Sequence, residues 1–124
     1  MAQQGRYPGR APIDAYGSGG FRFAAMSHRG SILCLPSAVL AWHVHSMAEL
    51  TAADLAPVIA EHADIDFLLL GTGPRQILPA PEIRTALAAA GIGLEVMDTG
   101  AAARTYNVLL EEGRHVAAAL IAVD

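Results

Sequence analysis

Lysine is missing from this sequence altogether, and all eight basic residues are arginine. Without lysine there is no Schiff-base amine and no phosphate-gripping lysine of a P-loop. Cysteine is nearly as scarce. The single one, Cys34, cannot close an internal disulfide, which fits a reducing compartment, and the apolar run "SILCLP" around it reads as burial of a structural thiol. Charge is sparse too: 16% of residues are charged and the net charge is −4, so no basic stripe favours nucleic acid as a partner. No run approaches ~18 apolar residues, the length of a membrane-spanning helix. The opening "MAQQGRYPGRAP" also has no apolar core of the signal-peptide kind. A chain that is not membrane-embedded and resides in the cytoplasm is the expectation.

What is abundant is apolar: 53% of the 124 residues, enough to pack one globular domain without a staple. Residues 1–11 are polar, with glycine and proline, and are expected to be a flexible tail; residues 12–124 are expected to form a single domain. "PIDAYGSGGFRFAAM" predicts two short strands about the turn Gly17-Ser18-Gly19-Gly20, and "GSILCLPSAVLAWHV" two more broken at Pro36-Ser37. From Thr51 the period changes. Thr51 caps a helix with Asp54 three residues on, and Pro57 predicts that the α-helix proper starts just before it or kinks there. "IDFLLLGTG" is nearly continuous in apolar residues, the pattern of a strand buried on both faces. A helix from about Pro81 to Ala90, a strand "GLEVMDT", a helix from about Ala101 to Glu112 and a final strand "HVAAALIAV" complete a β-α-β-α-β second half.

Open α/β sheets bind ligands beyond the carboxyl ends of their parallel strands, which here are Gly71-Thr72-Gly73 and Asp98-Thr99-Gly100. The third glycine of a dinucleotide fingerprint is absent, since position 76 is Gln, and Pro74 removes a donor. The group Arg104-Thr105-Tyr106-Asn107 opens the last helix. At 100° per residue Ala102, Thr105, Tyr106, Leu109 and Leu110 share the sheet-facing side, while Arg104, Asn107 and Glu111 point outward. His43 and His45 lie on one side of a predicted strand, but two ligands do not make a metal site. Trp42 reads as a core or rim aromatic. No serine, histidine and carboxylate fall into a catalytic pattern, and no cofactor is implied.

In order along residues 12–123, "IDAYGSGGFRF", "HRGSILCLP", "LLLGTG" and "GIGLEVMDTGAAARTYNVLLEEGRHVAAALI" resemble the Mth-domain family of small proteins. Its relatives include a mitochondrial assembly factor of respiratory complex I and an adipogenesis-associated protein. The resemblance implies an α/β fold of three layers: a mixed β-sheet, an additional β layer and two main helices. It also implies a surface cleft near the matching glycine and arginine positions, and little chemistry. The alanine-rich composition without lysine looks bacterial.

The expected function is that of a non-catalytic interaction or assembly factor with a protein partner. Its contact surface is expected around Gly71, Thr72, Gly73, Arg104, Asn107 and Trp42. The alternative uses the same cleft for an anionic small molecule held by Arg104 and the backbone of the Gly71–Gly73 loop, with Glu95 or Asp98 as the only base nearby. A third reading has residues 104–107 simply locking the last helix onto the sheet. A β-rich edge leaves a homodimer open.

Overall fold

A computed structural model describes residues 6–124. Nine strands and three α-helices follow one another as β1 (Arg6–Pro8), β2 (Ala15–Gly17), β3 (Gly20–Phe23), β4 (Met26–Arg29), β5 (Ser31–Cys34), β6 (Ala38–Trp42), α1 (Ala56–Ala60), β7 (Phe67–Gly71), α2 (Pro81–Ala89), β8 (Gly93–Met97), α3 (Thr99–Glu111) and β9 (Val116–Leu120). Six strands form a mixed sheet in the order β1-β6-β5-β9-β7-β8. β7 lies parallel to both β8 and β9, whereas β5, β6 and β1 join antiparallel. Flanked on both sides and covered on both faces, Leu68, Leu69 and Leu70 of β7 are buried, which is why that strand reads as an unbroken apolar run.

The sheet separates two cores. On one face Leu33, Trp42, Leu68, Leu70 and Ala119 pack with Leu55 and Val58 and with Ile83 and Leu87 of α2. On the other, Ile32, Cys34, Leu69, Ala118 and Leu120 pack with Ala102, Ala103 and Tyr106 of α3 and with Phe21 and Phe23. Those two phenylalanines belong to the antiparallel sheet β2-β3-β4, the additional β layer. Alternation along β3 buries Phe21 and Phe23 and exposes Arg22, as a strand with one wet face requires. Burial pushes the Cys34 thiol up to about 12, in keeping with a structural role.

Two local differences from the sequence expectations have physical causes, and one alternative left open at Pro57 is decided. The tail expected over 1–11 does not extend through residues 6–11: Arg6–Pro8 pair with β6 and Ala11 is buried, while residues 1–5 lie outside the described residues. Pro8 is tolerated because β1 is an edge strand. β4 was not anticipated, because its turn is Ala24-Ala25, two residues that carry no turn signal yet adopt φ of 51° and 61°. At Pro57 the chain does start α1 just before the proline, after a tighter helical turn over Ala52–Leu55.

Candidate functional site

α3 begins at Thr99, two residues before the expected start, because the Asp98 carboxylate accepts the Ala101 N–H at 2.8 Å and caps the helix. This start drives Thr99 into the crevice at the carboxyl ends of β7 and β9. Thr99 is fully buried, and its hydroxyl donates to the Ile121 carbonyl at 2.6 Å and accepts the Gly73 N–H at 2.9 Å. Its own N–H donates to the Gly73 carbonyl at 2.8 Å. The place where an open α/β sheet would receive a ligand is closed by a threonine side chain.

Gly71, Thr72 and Gly73 are accordingly buried. A Cβ on Gly71 would stand 3.0 Å from Thr99 Cα and 3.0 Å from Leu120 Cδ2, so glycine allows the close approach of α3 to β7 and any side chain there would push its neighbours aside. The Thr72 N–H donates to the Met97 carbonyl, and its hydroxyl donates to the Arg75 carbonyl at 2.5 Å while accepting the Ile77 N–H at 3.1 Å. With the Thr72 and Gly73 N–H groups engaged inside the protein, they are not available to an anion.

The two polar residues of the α3 motif have found partners in the first third of the chain. Arg104 Nη1 donates to the Tyr16 hydroxyl at 2.6 Å, and the Tyr16 ring lies across Gly100, where a Cβ would meet the phenol oxygen at 2.6 Å. Gly100 is thus the seat on which the β2 aromatic rests. Asn107, expected to face outward, is half-buried instead, because its amide pairs with the backbone of Ile13. Tyr16 and Ile13 went unnoticed as partners; the only hint was that two hydrogen-bonding side chains stood on an otherwise plain helix.

Trp42 does not join them. Its ring is buried on the α1–α2 face of the large sheet, opposite to α3, and its indole N–H donates to the Asp54 carbonyl at 2.9 Å. His43 Nε2 meets Asp54 Oδ1 at 2.6 Å, and the other carboxylate oxygen accepts the Thr51 N–H at 2.8 Å. The Thr51 N–H first, and His43 after it, hold the Asp54 carboxyl below the usual carboxylate range. Asp54 therefore ties the end of β6 to the turn before α1. The six expected site residues divide into a buried loop under α3, an exposed Arg104 braced on Tyr16, a clamp at Asn107, and a tryptophan on the far face. The aromatic that accompanies Arg104 is Tyr16, not Trp42.

A mixed sheet with helices on both faces and a three-stranded layer beside α3 defines a three-layer α/β protein of the Mth-domain type. The chain belongs to the family described as "Protein of unknown function (DUF498/DUF598)", whose model matches residues 13–121. An uncharacterised protein of Rhodobacter capsulatus is 41% identical over 116 residues, 93% of this chain and 87% of that one. The mouse protein named NADH dehydrogenase [ubiquinone] 1 alpha subcomplex assembly factor 3 is 33% identical over 118 residues, 95% of this chain. This chain spans 64% of that relative's length. Among solved structures, one described as an outer membrane protein from Bartonella henselae superposes with a TM-score of 0.92 at 50% identity, covering 95% of this chain and 99% of the other. A Bordetella pertussis protein described as a Mth938-like domain gives 0.79 at 35% identity, covering 90% and 85%. Among the described residues no helix is long and apolar enough to cross a membrane.

Proposed function

We propose that this protein is a non-catalytic assembly factor, cytoplasmic, which holds a protein partner while a larger complex is built, and that the complex is of the NADH dehydrogenase kind. The observation that carries this reading is the likeness over 95% of the chain to a protein named as an assembly factor of that complex. The internal bonding supports it: Thr72, Thr99 and Asn107, the polar groups a ligand site would have used, are committed to the protein's own backbone. What remains accessible near the α3 motif is Arg104 with the partly exposed Tyr16, residue types that carry binding energy at protein interfaces.

The test is affinity capture of the tagged protein from its own cells, combined with native electrophoresis of membranes from a strain lacking it. Co-purification of NADH dehydrogenase subunits, and loss of the assembled complex with build-up of a smaller precursor, is the expected result. A normal complex in the deletion strain overturns the proposal.

A further inference from the structure

The side of the small sheet turned away from α3 carries two exposed arginines, Arg22 and Arg29. Directly opposite pairs in β2-β3-β4 share a face, and Ala15, Arg22 and Ser27 form one such row. Arg29 stands two positions beyond Ser27 on β4, hence on the same face. Around them lies a groove of about 500 Å³, within the roughly 300–1,000 Å³ of specific binding clefts. Its floor is low because Ala15, Gly17 and Gly20 offer almost no side chain, and the charged side chains that rise on this face are Arg22 and Arg29, with no Asp or Glu in the lining. Among the described residues the single ion pair is His43–Asp54, so no carboxylate lies within ion-pair distance of Arg22 or Arg29. In a chain of net charge −4 this is a concentrated positive patch.

We infer that this groove docks an extended, acidic segment of the partner protein, with carboxylates at alternate positions gripped by Arg22 and Arg29. The spacing favours a peptide over a free anion. Diagonal neighbours on adjacent strands stand roughly 7–8 Å apart, with their Cβ atoms somewhat closer. Alternate side chains of an extended peptide repeat at about 6.6–6.8 Å and point the same way. Arg22 is already oriented, one nitrogen donating to Ser27 Oγ at 2.9 Å, which leaves the rest of the fork for a carboxylate. The glycine floor lets a second backbone approach. The inference rests on the protein-partner reading above and names the chemistry of that partner.

The probe is a short fluorescein-labelled peptide with glutamate at every second position, followed by fluorescence anisotropy at low salt. Its counterpart with glutamine replacing glutamate is the control. The wild type is expected to bind the glutamate peptide at least about tenfold more tightly than the control, with affinity falling as salt rises. The double variant Arg22→Ser, Arg29→Ser should lose about tenfold as well, and its thermal unfolding, which should be unchanged for two exposed side chains, is measured beside it to show that the fold survives. Equal binding of the two peptides, or equal affinity of wild type and double variant, overturns the groove. So does full displacement of the peptide by inorganic phosphate at equal concentration, which would mark a small-anion site instead. The two readings fail separately: a normal NADH dehydrogenase in the deletion strain counts against the assembly role, whereas the peptide results judge the groove alone.

Discussion

Asn107 holds Ile13 by both of its backbone polar groups, accepting the Ile13 N–H and donating to the Ile13 carbonyl, each at 2.7 Å, across 94 positions of sequence. One side-chain amide thereby does for the segment before β2 what a neighbouring strand would do. It anchors the small sheet to α3 at one end, as Arg104 and Tyr16 do a turn of helix away.

Replacing Asn107 by Ala leaves a donor and an acceptor of the nearly buried Ile13 without partners, at about 1–3 kcal/mol each by the usual cost of an orphaned group. The expected loss for Asn107→Ala is therefore about 2–6 kcal/mol in chemical denaturation. Asn107→Asp keeps the acceptor, loses only the donor, and should fall between Ala and wild type. If Ala and Asp variants were as stable as wild type, the clamp would carry no weight.

Tyr106 poses the opposite case. Its side chain is fully buried against α3's core, and its hydroxyl has no hydrogen-bond partner among the described residues. Burial, and then the nearby Cys34 thiol, push the phenol upward, so it stays neutral at physiological pH. An unpartnered buried hydroxyl costs about 1–3 kcal/mol. Tyr106→Phe should accordingly stabilise the protein by about 1 kcal/mol, or a rise in Tm of roughly 4 °C at this chain length. A fall in Tm would show that the hydroxyl is bonded after all.

The order of strands and helices after Thr51 was readable because each element carries its own signal: Pro at the first turn of α2, Gly91 and Gly113 beyond helix ends, and the apolar run of β7. The composition of the candidate site was not. Trp42 and Arg104 both look like interface residues in a linear reading, yet β6 and α3 present them to opposite faces of one sheet, a fact set by strand order rather than by local pattern. Asn107 appeared to face solvent because helical geometry knows nothing of the segment that comes to lie beside it. Thr99 stands in one of the two strand ends expected to receive a ligand, yet its closing of that crevice is not legible because its partners, Gly73 and Ile121, are each more than twenty residues away.

β4 was hidden for a more instructive reason. The β2–β3 turn uses Ser18-Gly19, with φ of 53° and 80°, the two-residue turn that suits strand twist and normally selects Asn or Gly. The β3–β4 turn adopts the same left-handed conformation with Ala24-Ala25, whose methyl groups cost about 1–2 kcal/mol each there. Substituting Ala24→Asn and Ala25→Gly relieves this, partly offset by the greater freedom of glycine in the unfolded chain. A net gain of about 1 kcal/mol is expected in denaturant unfolding. Ala25→Val, by contrast, should destabilise by more than that, since a β-branched residue resists positive φ. No gain from Asn-Gly would show that the turn relaxes without strain.

Acid should loosen the join between β6 and the turn before α1. The Asp54 carboxyl lies below its ordinary value of 3.8, held chiefly by the Thr51 N–H and further by His43. A carboxylate depressed in the folded state binds fewer protons there than in the unfolded chain, so its contribution is complete above the unfolded value and is lost as pH falls through the folded one. The stability gap between wild type and Asp54→Asn should thus be largest near neutral pH and begin to close as pH drops through about 4. It should narrow further at lower pH as the carboxyl protonates in the folded protein. Urea denaturation of both proteins from pH 7 to pH 3 reads this directly. A gap that stayed constant, or widened in acid, would mean that the Asp54 charge does not hold the turn and that the Trp42 indole bond to the Asp54 carbonyl, which neither pH nor the substitution removes, does so instead.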